Sequence, residues 1–330
     1  MPEWRKDPVV DRWVVISTER SKRPSNFKVS EEKIKGQVCS LCPGREHETP
    51  PEVMSFRKQG TQRDNPGWWV RVVPNKFPAV SAEAAPEVYN KGIYAAMDGL
   101  GAHEVVIESP DHVDNLDVED DRQIEEILWA WRDRLLGLRQ DNRMKYIQIF
   151  KNFGETAGAS LEHTHSQIVA IPMVPHDISL EMEGAKRYTE DTGRCIFCDM
   201  VASELQQRER MIMQGERFVT LAPFASRFPF ETWVMPVKHQ HDFANINKEE
   251  AVELSSMLRA LLVKMALVLH KPPYNMVLHN STVNMPDASY YHWRLEILPR
   301  LTVIAGFELG TGLYINPTPP ELAAKCLSEC

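Results

Sequence analysis

Long hydrophobic runs are absent from this sequence. The most apolar segment, ALLVKMALVLH, is too short to cross a bilayer and is interrupted by Lys264. The N-terminal stretch MPEWRKDPVVDRWVVIS contains no apolar segment of the signal-peptide type. We therefore expect a cytoplasmic protein that has no membrane partner.

Blocks of basic residues are also absent. Lysine and arginine number 38 against 46 aspartate and glutamate residues, which gives a net charge of −8. A protein that neutralises nucleic-acid phosphates usually carries a basic patch, so we expect no nucleic-acid partner. No glycine fingerprint of a dinucleotide site or a P-loop follows a predicted strand, and ELGTG near residue 310 is too short to count.

What the sequence does contain is the same order of features twice. With 330 residues it is longer than one small core normally organises. Each half begins with a C-x-x-C pair, CSLC or CIFC, and continues through strand-like segments and one amphipathic stretch to a histidine-containing segment, HTH or YYHWRLEILPR. We predict an N-terminal half over residues 1–180 and a C-terminal half over residues 181–330.

Each half predicts several strands and one long helix. Apolar residues recur at helical spacing over residues 124–138 and 254–268, and Asp117 and Asn247 are the predicted N-caps. Short segments such as HEVVIES, SQIVAIP and WRLEILP are rich in β-branched residues, which is typical of strands. Because sequential strands with short connections favour antiparallel pairing, we predict a duplicated α+β fold with an antiparallel sheet in each half.

Four of the six cysteines form the two C-x-x-C pairs. Without an export signal, such pairs are more often metal ligands or redox dithiols than disulfides, and a buried or redox pair beside incidental histidines is the alternative. Because histidines follow both pairs in the same order, we predict one closed, structural Cys2His2 zinc site per half, the second of which could hold iron. The predicted ligands are Cys39, Cys42, His103 and His163, and then Cys195, Cys198, His239 and His292. His241 could replace His239.

The two histidines of GASLEHTHSQIVAIP are predicted to have different roles. Alternate residues of a strand face the same side, about 6–7 Å apart, so His163 and His165 could bind one metal. Aligning HTHSQ with HWRLE keeps the first histidine in both halves but replaces His165 by Arg294 and Gln167 by Glu296. A metal site needs only the first histidine, which leaves His165 and Gln167 for chemistry. A second metal ligand or a surface histidine is the alternative for His165.

A free imidazole beside an amide suits nucleophilic attack on phosphorus. Histidine is partly neutral near physiological pH, so one ring nitrogen is available to attack. Gln167 can donate to a non-bridging phosphoryl oxygen, and Ser160 and the glycines of GETAGAS offer further donors for phosphates. The N-terminal half is therefore predicted to carry the nucleophile, His165.

The segment GASLEHTHSQ resembles the active-site motif of the galactose-1-phosphate uridylyltransferase family, a branch of the histidine-triad superfamily. RWVVISTERSKRP, VPNKFPAV, FPFETWVMPVKH and AGFELGTG agree with it in order over nearly the whole chain. The resemblance implies a duplicated histidine-triad fold, a homodimer, and ping-pong nucleotidyl transfer. It implies these roles for individual residues: His165 as nucleophile, Gln167 at the transferred phosphoryl group, Ser160 and Asn152 at the diphosphate, Arg20, Arg23 and Asn75 at the nucleotide or its phosphates, and Cys39, Cys42, His103 and His163 at the family's zinc site.

Departures from the family pattern bear on the substrate. Thr164 stands where the usual H-P-H motif has proline, and RLTVIAGFELGTGLYINP lacks the substrate-contacting lysine and glutamine of many bacterial members. A second C-x-x-C site resembles the ADP-glucose phosphorylase branch, which transfers AMP, typically to phosphate.

These features predict a nucleotidyltransferase that acts on nucleoside diphosphate sugars. The acceptor is a sugar 1-phosphate or phosphate. UDP-glucose:galactose-1-phosphate uridylyltransferase is the first interpretation, and ADP-glucose phosphorylase is the alternative. A zinc-stabilised nucleotide-binding module or hydrolase of the histidine-triad type is the hypothesis from another class.

Overall fold

The computed structural model describes residues 2–18, 39–85, 87–285 and 288–330. Its strands are β1 (Glu3–Lys6), β2 (Trp13–Ile16), β3 (Met54–Arg57), β4 (Trp68–Pro74), β5 (Val88–Lys91), β6 (Tyr94–Met97), β7 (Ala102–Ile107), β8 (Tyr146–Phe153), β9 (His165–Ile171), β10 (Met211–Gln214), β11 (Phe218–Leu221), β12 (Thr232–Pro236), β13 (Tyr274–His279), β14 (Arg294–Pro299) and β15 (Tyr314–Asn316). Its helices are α1 (Asp121–Leu138), α2 (His176–Thr192), α3 (Ile196–Gln207), α4 (Lys248–Leu269), α5 (Gly306–Thr311) and α6 (Pro320–Ser328).

One antiparallel sheet of ten strands runs through both halves, in the order β10-β11-β12-β14-β13-β8-β9-β7-β4-β3. The order is symmetric about the β8–β13 pair, where Asn152 lies opposite Asn275. Strand β9 therefore has β14 as its counterpart, and β7 has β12. The predicted α+β class with antiparallel pairing is confirmed, and the sequence repeat corresponds to this two-fold arrangement of strands.

The long helices of both halves pack together on one face of the sheet. Trp131 of α1 and Leu258 of α4 belong to the same buried cluster, which also contains Ile149 and Ile168 of the central strands. The two helices predicted from apolar periodicity are confirmed. The prediction of Asp117 as an N-cap is wrong, whereas Asn247 caps α4 as predicted.

Asp120 caps α1, because its side chain accepts the Gln123 N–H at 2.7 Å. Asp117 instead lies buried in a short 3₁₀ turn, Leu116–Val118, that precedes the helix. A cap requires an extended backbone at the residue before the first helical turn, and Asp120 has that conformation.

The opposite face of the sheet differs between the halves. In the second half, α2 and α3 cover it with a cluster that includes Met182, Phe197 and Tyr291. In the first half, the same face packs against the segment that contains Cys39 and Leu41. The predicted boundary at residue 180 falls within α2, and the division of the chain there stays a prediction.

Strands β1, β2 and β15 form a separate small sheet in which β15 runs parallel to β2. It joins the two ends of the described chain. Over the described ranges, the helices are all too short or too polar to traverse a lipid bilayer.

Candidate active site and metal clusters

The first C-x-x-C pair lies beside two histidines. Nδ1 of His163 is 3.6 Å from the sulfurs of both Cys39 and Cys42, and Nδ1 of His112 is 3.3 Å from Cys42 Sγ. The four ligand atoms lie within 4.8 Å of one another. The other ring nitrogen of His163 is 2.9 Å from the Ser109 carbonyl oxygen, to which its N–H donates, so Nδ1 is left to face the sulfurs.

The second pair repeats this arrangement. Nδ1 of His239 and of His292 lies 3.3 and 3.6 Å from Cys198 Sγ, and Cys195 completes the group. The His292 Nε2 atom is 2.9 Å from the Pro236 carbonyl oxygen, as His163 is from Ser109. Two thiols and two imidazoles converging on one point form a donor set that suits a tetrahedral ion, so both clusters could hold a metal.

The structure corrects one predicted ligand. His112, and not His103, joins His163 in the first cluster, and His239, not His241, joins His292 in the second. His103 lies within β7 opposite Val169, and its ring contacts Gln167 instead of the cysteines. His112 comes after that strand has ended, where the chain returns towards Cys42.

A signal for His112 was present in the repeat. Aligning EVVIESPDH with ETWVMPVKH places Glu104 on Glu231 and His112 on His239, without a gap. The same alignment places Ser109 on Pro236, the two residues whose carbonyls hold the inner histidines. His103 has no histidine counterpart in this alignment, so the repeat does not support His103 as a ligand.

His165 begins β9 and is only 7% exposed. Its Nδ1 lies 2.8 Å from the carbonyl oxygen of His163, which accepts the Nδ1–H and leaves the lone pair on Nε2. Burial, together with the positive charge of Lys151, lowers the pKa of His165. The ring is therefore neutral at physiological pH and has one nucleophilic nitrogen.

A buried ionic cluster lies behind the histidine, on the helix-covered face of the sheet. Lys151 Nζ is 2.6 Å from Glu108 Oε2, 2.8 Å from Thr164 Oγ1 and 3.2 Å from the His165 carbonyl oxygen. The Thr164 hydroxyl donates to the same glutamate at 2.7 Å. The Thr164 hydroxyl and Lys151 therefore fix the backbone between the two histidines.

Replacing Lys151 by methionine is expected to lower the free energy of unfolding by about 3 kcal/mol or more, because Glu108 would be left buried without its cation. Urea denaturation measures the change. Lys145→Met is the matched control, since Lys145 is an exposed residue just before the same strand and its replacement should cost less than about 0.5 kcal/mol. Equal stability of the two variants would contradict the assigned role of the ion pair.

Two amides of the predicted site are held through their oxygens. The Gln167 Oε1 atom lies 2.8 Å from His103 Nε2 and 3.5 Å from Asn75 Nδ2. On β8, Asn152 Oδ1 accepts from Asn275 Nδ2 at 2.7 Å. Both contacts leave the amide NH2 groups available to a ligand. Asn275 comes from the second half of the chain, and sequence analysis did not identify it.

The loop after β8 brings backbone groups to the same edge. Asn275 Nδ2 also donates to the Ala157 carbonyl oxygen at 2.8 Å, which fixes the turn Glu155–Ala157. Gly158 follows with φ of 89°, and a Cβ there would lie 3.6 Å from Asn152 Nδ2. Ser160 is exposed just beyond. The N–H groups of Ala157, Gly158 and Ala159 are bonded within this turn, so the loop lies close to Asn152 at Gly158 and leaves the exposed Ser160 beyond it.

The predicted site residues come together on one face. Val105 of β7 lies opposite Gln167, and Phe150 of β8 lies opposite it on the other side. Because side chains alternate along a strand, His165, Gln167, His103 and Asn152 share that face. Arg20 and Arg23 lie outside the described residues.

In the second half, charged side chains occupy the positions equivalent to His165 and Gln167. Arg294 stands where the first half has His165, and its guanidinium donates to both oxygens of Glu181 at 2.7 and 2.8 Å. Glu296, the counterpart of Gln167, lies 2.6 Å from His279 Nε2 and also pairs with Arg227. Glu181, Arg294 and Glu296 are buried and each pairs with an opposite charge, so the position equivalent to His165 is occupied by a paired guanidinium and not by an imidazole.

Comparison with known proteins connects the site to a family. A family model described as the galactose-1-phosphate uridyl transferase N-terminal domain matches residues 1–175, and one described as a domain of unknown function (DUF4921) matches residues 100–329. The chain is 40% identical to ADP-glucose phosphorylase of Arabidopsis thaliana, over 99% of this chain and 93% of that protein. It is 31% identical to galactose-1-phosphate uridylyltransferase of Thermotoga maritima, over 100% of this chain and 98% of that protein.

Solved structures agree. A crystal structure of the Arabidopsis thaliana ADP-glucose phosphorylase with bound ADP-glucose superposes with a TM-score of 0.86 at 38% identity, covering 100% of this chain and 99% of that one. A uridylyltransferase structure superposes with a TM-score of 0.78 at 28% identity, covering 100% and 98%.

Proposed function

This chain belongs to the galactose-1-phosphate uridylyltransferase family and is a nucleotidyltransferase, and on that basis we propose that His165 carries the nucleotidyl group during transfer. The observation that supports this role is the hydrogen bond of His165 Nδ1 to the His163 carbonyl, because it leaves Nε2 as the free nucleophile. The substrate is a nucleoside diphosphate sugar.

The proposed reaction has two displacements at the α-phosphorus. In the first, Nε2 of His165 forms a bond to phosphorus as the bond to the sugar 1-phosphate oxygen breaks, and the sugar 1-phosphate leaves. In the second, a phosphate oxygen of the acceptor attacks the same phosphorus, and the neutral imidazole is regenerated. Splitting the transfer in this way lets one set of donors act on both steps.

The surrounding groups stabilise charge that develops on the phosphoryl oxygens and on the ring. The ring of His165 becomes cationic as it bonds to phosphorus, and the His163 carbonyl, fixed 2.8 Å from Nδ1, is already placed to accept the more acidic N–H. Gln167 and Asn152 direct their amide N–H groups at the phosphoryl oxygens, and Ser160 adds its hydroxyl. Asn75, and Arg20 and Arg23 of the undescribed segment, are proposed to contact the nucleotide.

Both metal clusters are proposed to hold zinc. Two sulfur and two nitrogen donors suit zinc, and four protein ligands leave no position for substrate, so the role is structural. Iron at the second cluster is the alternative. At the first cluster, a bound ion would hold Cys39, Cys42 and His112 against His163, whose carbonyl orients the nucleophile.

Two nucleotides compete as the transferred group. The family motif and the Thermotoga maritima relative support uridylyl transfer from UDP-glucose to galactose 1-phosphate. The higher identity to ADP-glucose phosphorylase, over 99% of the chain, favours adenylyl transfer from ADP-glucose to phosphate. The second Cys2His2 cluster, which resembles that branch, supports the same alternative.

Intact-protein mass spectrometry after incubation with UDP-glucose or with ADP-glucose distinguishes uridylyl transfer from adenylyl transfer. We expect a mass increase equal to one nucleoside monophosphate from one of the two donors, absent in His165→Ala. Adding galactose 1-phosphate or phosphate should then discharge the adduct and identify the acceptor. An adduct that persists in His165→Ala would exclude His165 as the nucleophile.

A nucleotide-binding module or hydrolase, the hypothesis from another functional class, predicts a different result in the mass-spectrometry experiment. A nucleotide-binding module would form no adduct, and a hydrolase of the histidine-triad type would release nucleotide without an acceptor. From the resemblance to the family we also propose a homodimer in the cytoplasm. Sedimentation of the purified protein tests the dimer.

A further inference from the structure

The amide of Gln167 has a defined orientation, and His103 determines it. The Ala79 N–H donates to His103 Nδ1 at 3.1 Å, so in the neutral ring the hydrogen resides on Nε2. That Nε2–H donates to Gln167 Oε1 at 2.8 Å. The ring therefore connects the backbone at the end of the Asn75–Ala79 segment to the side-chain amide of Gln167.

Asn75 supports the same orientation. Its Oδ1 accepts the Phe77 N–H at 2.9 Å, which identifies the other amide atom as the NH2 group. That nitrogen lies 3.5 Å from Gln167 Oε1, so it is a second and weaker donor to the oxygen that accepts from His103 Nε2 at 2.8 Å. Its 3.1 Å contact with His103 Nε2 brings two donors side by side and is not a hydrogen bond. A flipped Gln167 amide would place its NH2 against both of these donors, with no acceptor among them.

We propose that His103 is a positioning residue for nucleotidyl transfer, which it serves by holding Gln167 with its NH2 group directed at the phosphoryl oxygens. The inference rests on the proposed function of His165. His103 makes no contact with the reacting atoms in this role and takes no part in the metal cluster. Its loss should slow the formation of the nucleotidyl-histidine, because a donor that is free to rotate stabilises developing charge less well.

Two substitutions at His103 separate positioning from a merely structural role. His103→Gln places an amide nitrogen near the former Nε2 and keeps a donor for Gln167. His103→Asn places an amide oxygen near the former Nδ1, keeps the acceptor for the Ala79 N–H, and removes the donor to Gln167. The two variants are matched because each preserves one of the two hydrogen bonds and both are uncharged.

The measurement is the single-turnover rate at which the His165 adduct forms, followed by mass spectrometry with whichever nucleotide sugar labels the unaltered protein. We expect His103→Asn to react about 10-fold more slowly at saturating donor, and His103→Gln to stay within about 3-fold of the unaltered protein. Metal content should be unchanged in both. Equal slowing in the two variants would overturn the inference, because a structural role does not distinguish them.

A double-mutant cycle tests whether His103 acts through Gln167. In a Gln167→Ala background, His103→Asn should cause no further slowing, since the amide that it orients is gone. Full additivity of the two losses would overturn the inference. Absence of any adduct in the unaltered protein would overturn the proposed function and the inference with it, whereas an adduct that forms at one rate in all His103 variants overturns the inference alone.

Discussion

Replacing His165 by alanine is expected to lower turnover by about 10⁴-fold or more while the protein stays folded and retains both metals. The loss is large because the first displacement has no other nucleophile, and residues that act as a unit leave little activity when one is removed. The ring makes one hydrogen bond to a backbone carbonyl, so its removal affects neither Cys2His2 cluster directly. Steady-state turnover with the nucleotide sugar that labels the protein, together with elemental analysis, measures both outcomes.

The control for this variant is His47→Ala, since the His47 side chain is 76% exposed. It should keep full activity. If His165→Ala retained activity within a few-fold of the unaltered protein, the nucleophile would have to be sought elsewhere. If it lost one metal ion per chain, His165 would instead be a ligand.

Replacing His112 by alanine is expected to remove one of two metal ions per chain and to lower the free energy of unfolding by about 3 kcal/mol or more. A closed site that loses one of its four donors binds its ion much more weakly, and the segment around Cys39 and Cys42 then loses its connection to His163. Elemental analysis gives the metal content, and urea denaturation gives the stability.

The His103→Asn variant decides whether His112 or His103 is the fourth ligand of the first cluster. It removes the histidine that the sequence pattern placed in the first cluster, and we expect it to retain both ions. Loss of an ion from His103→Asn, with none lost from His112→Ala, would restore the ligand set predicted from sequence. His239→Ala should reproduce the His112→Ala result at the second cluster, because its ring has the same relation to the inner histidine.

Much of the fold could be predicted from local pattern. Apolar residues at helical spacing located α1 and α4, and β-branched segments located β7, β9 and β14, because both periodicities report which face of an element is buried. The start of α1 was misplaced by three residues, since the acidic residues Asp117 and Asp120 offer the same capping chemistry and only the backbone conformation distinguishes them.

The chemical difference between the two halves could also be predicted, because it depends on which residue types occupy matching positions and not on their geometry. Comparing His165 with Arg294, and Gln167 with Glu296, was sufficient to predict that only the N-terminal half carries a nucleophile. The sequence did not show that Arg294 would pair with Glu181 of α2 and Glu296 with His279 of β13, since those contacts join distant segments.

The sequence by itself determined the duplication, the two cysteine pairs and the inner histidine of each cluster, because these depend on residue type and on spacing along the chain, and it led to the prediction of a distinct role for His165. Only the tertiary structure decided that His112 faces the cysteines while His103 contacts Gln167, that Lys151 and Glu108 lie behind His165, and that Asn275 bonds to Asn152 across the β8–β13 pair. The physical reason is register: which side chains meet between neighbouring strands depends on how far each strand is shifted against the next, and one residue of shift moves a side chain to the other face.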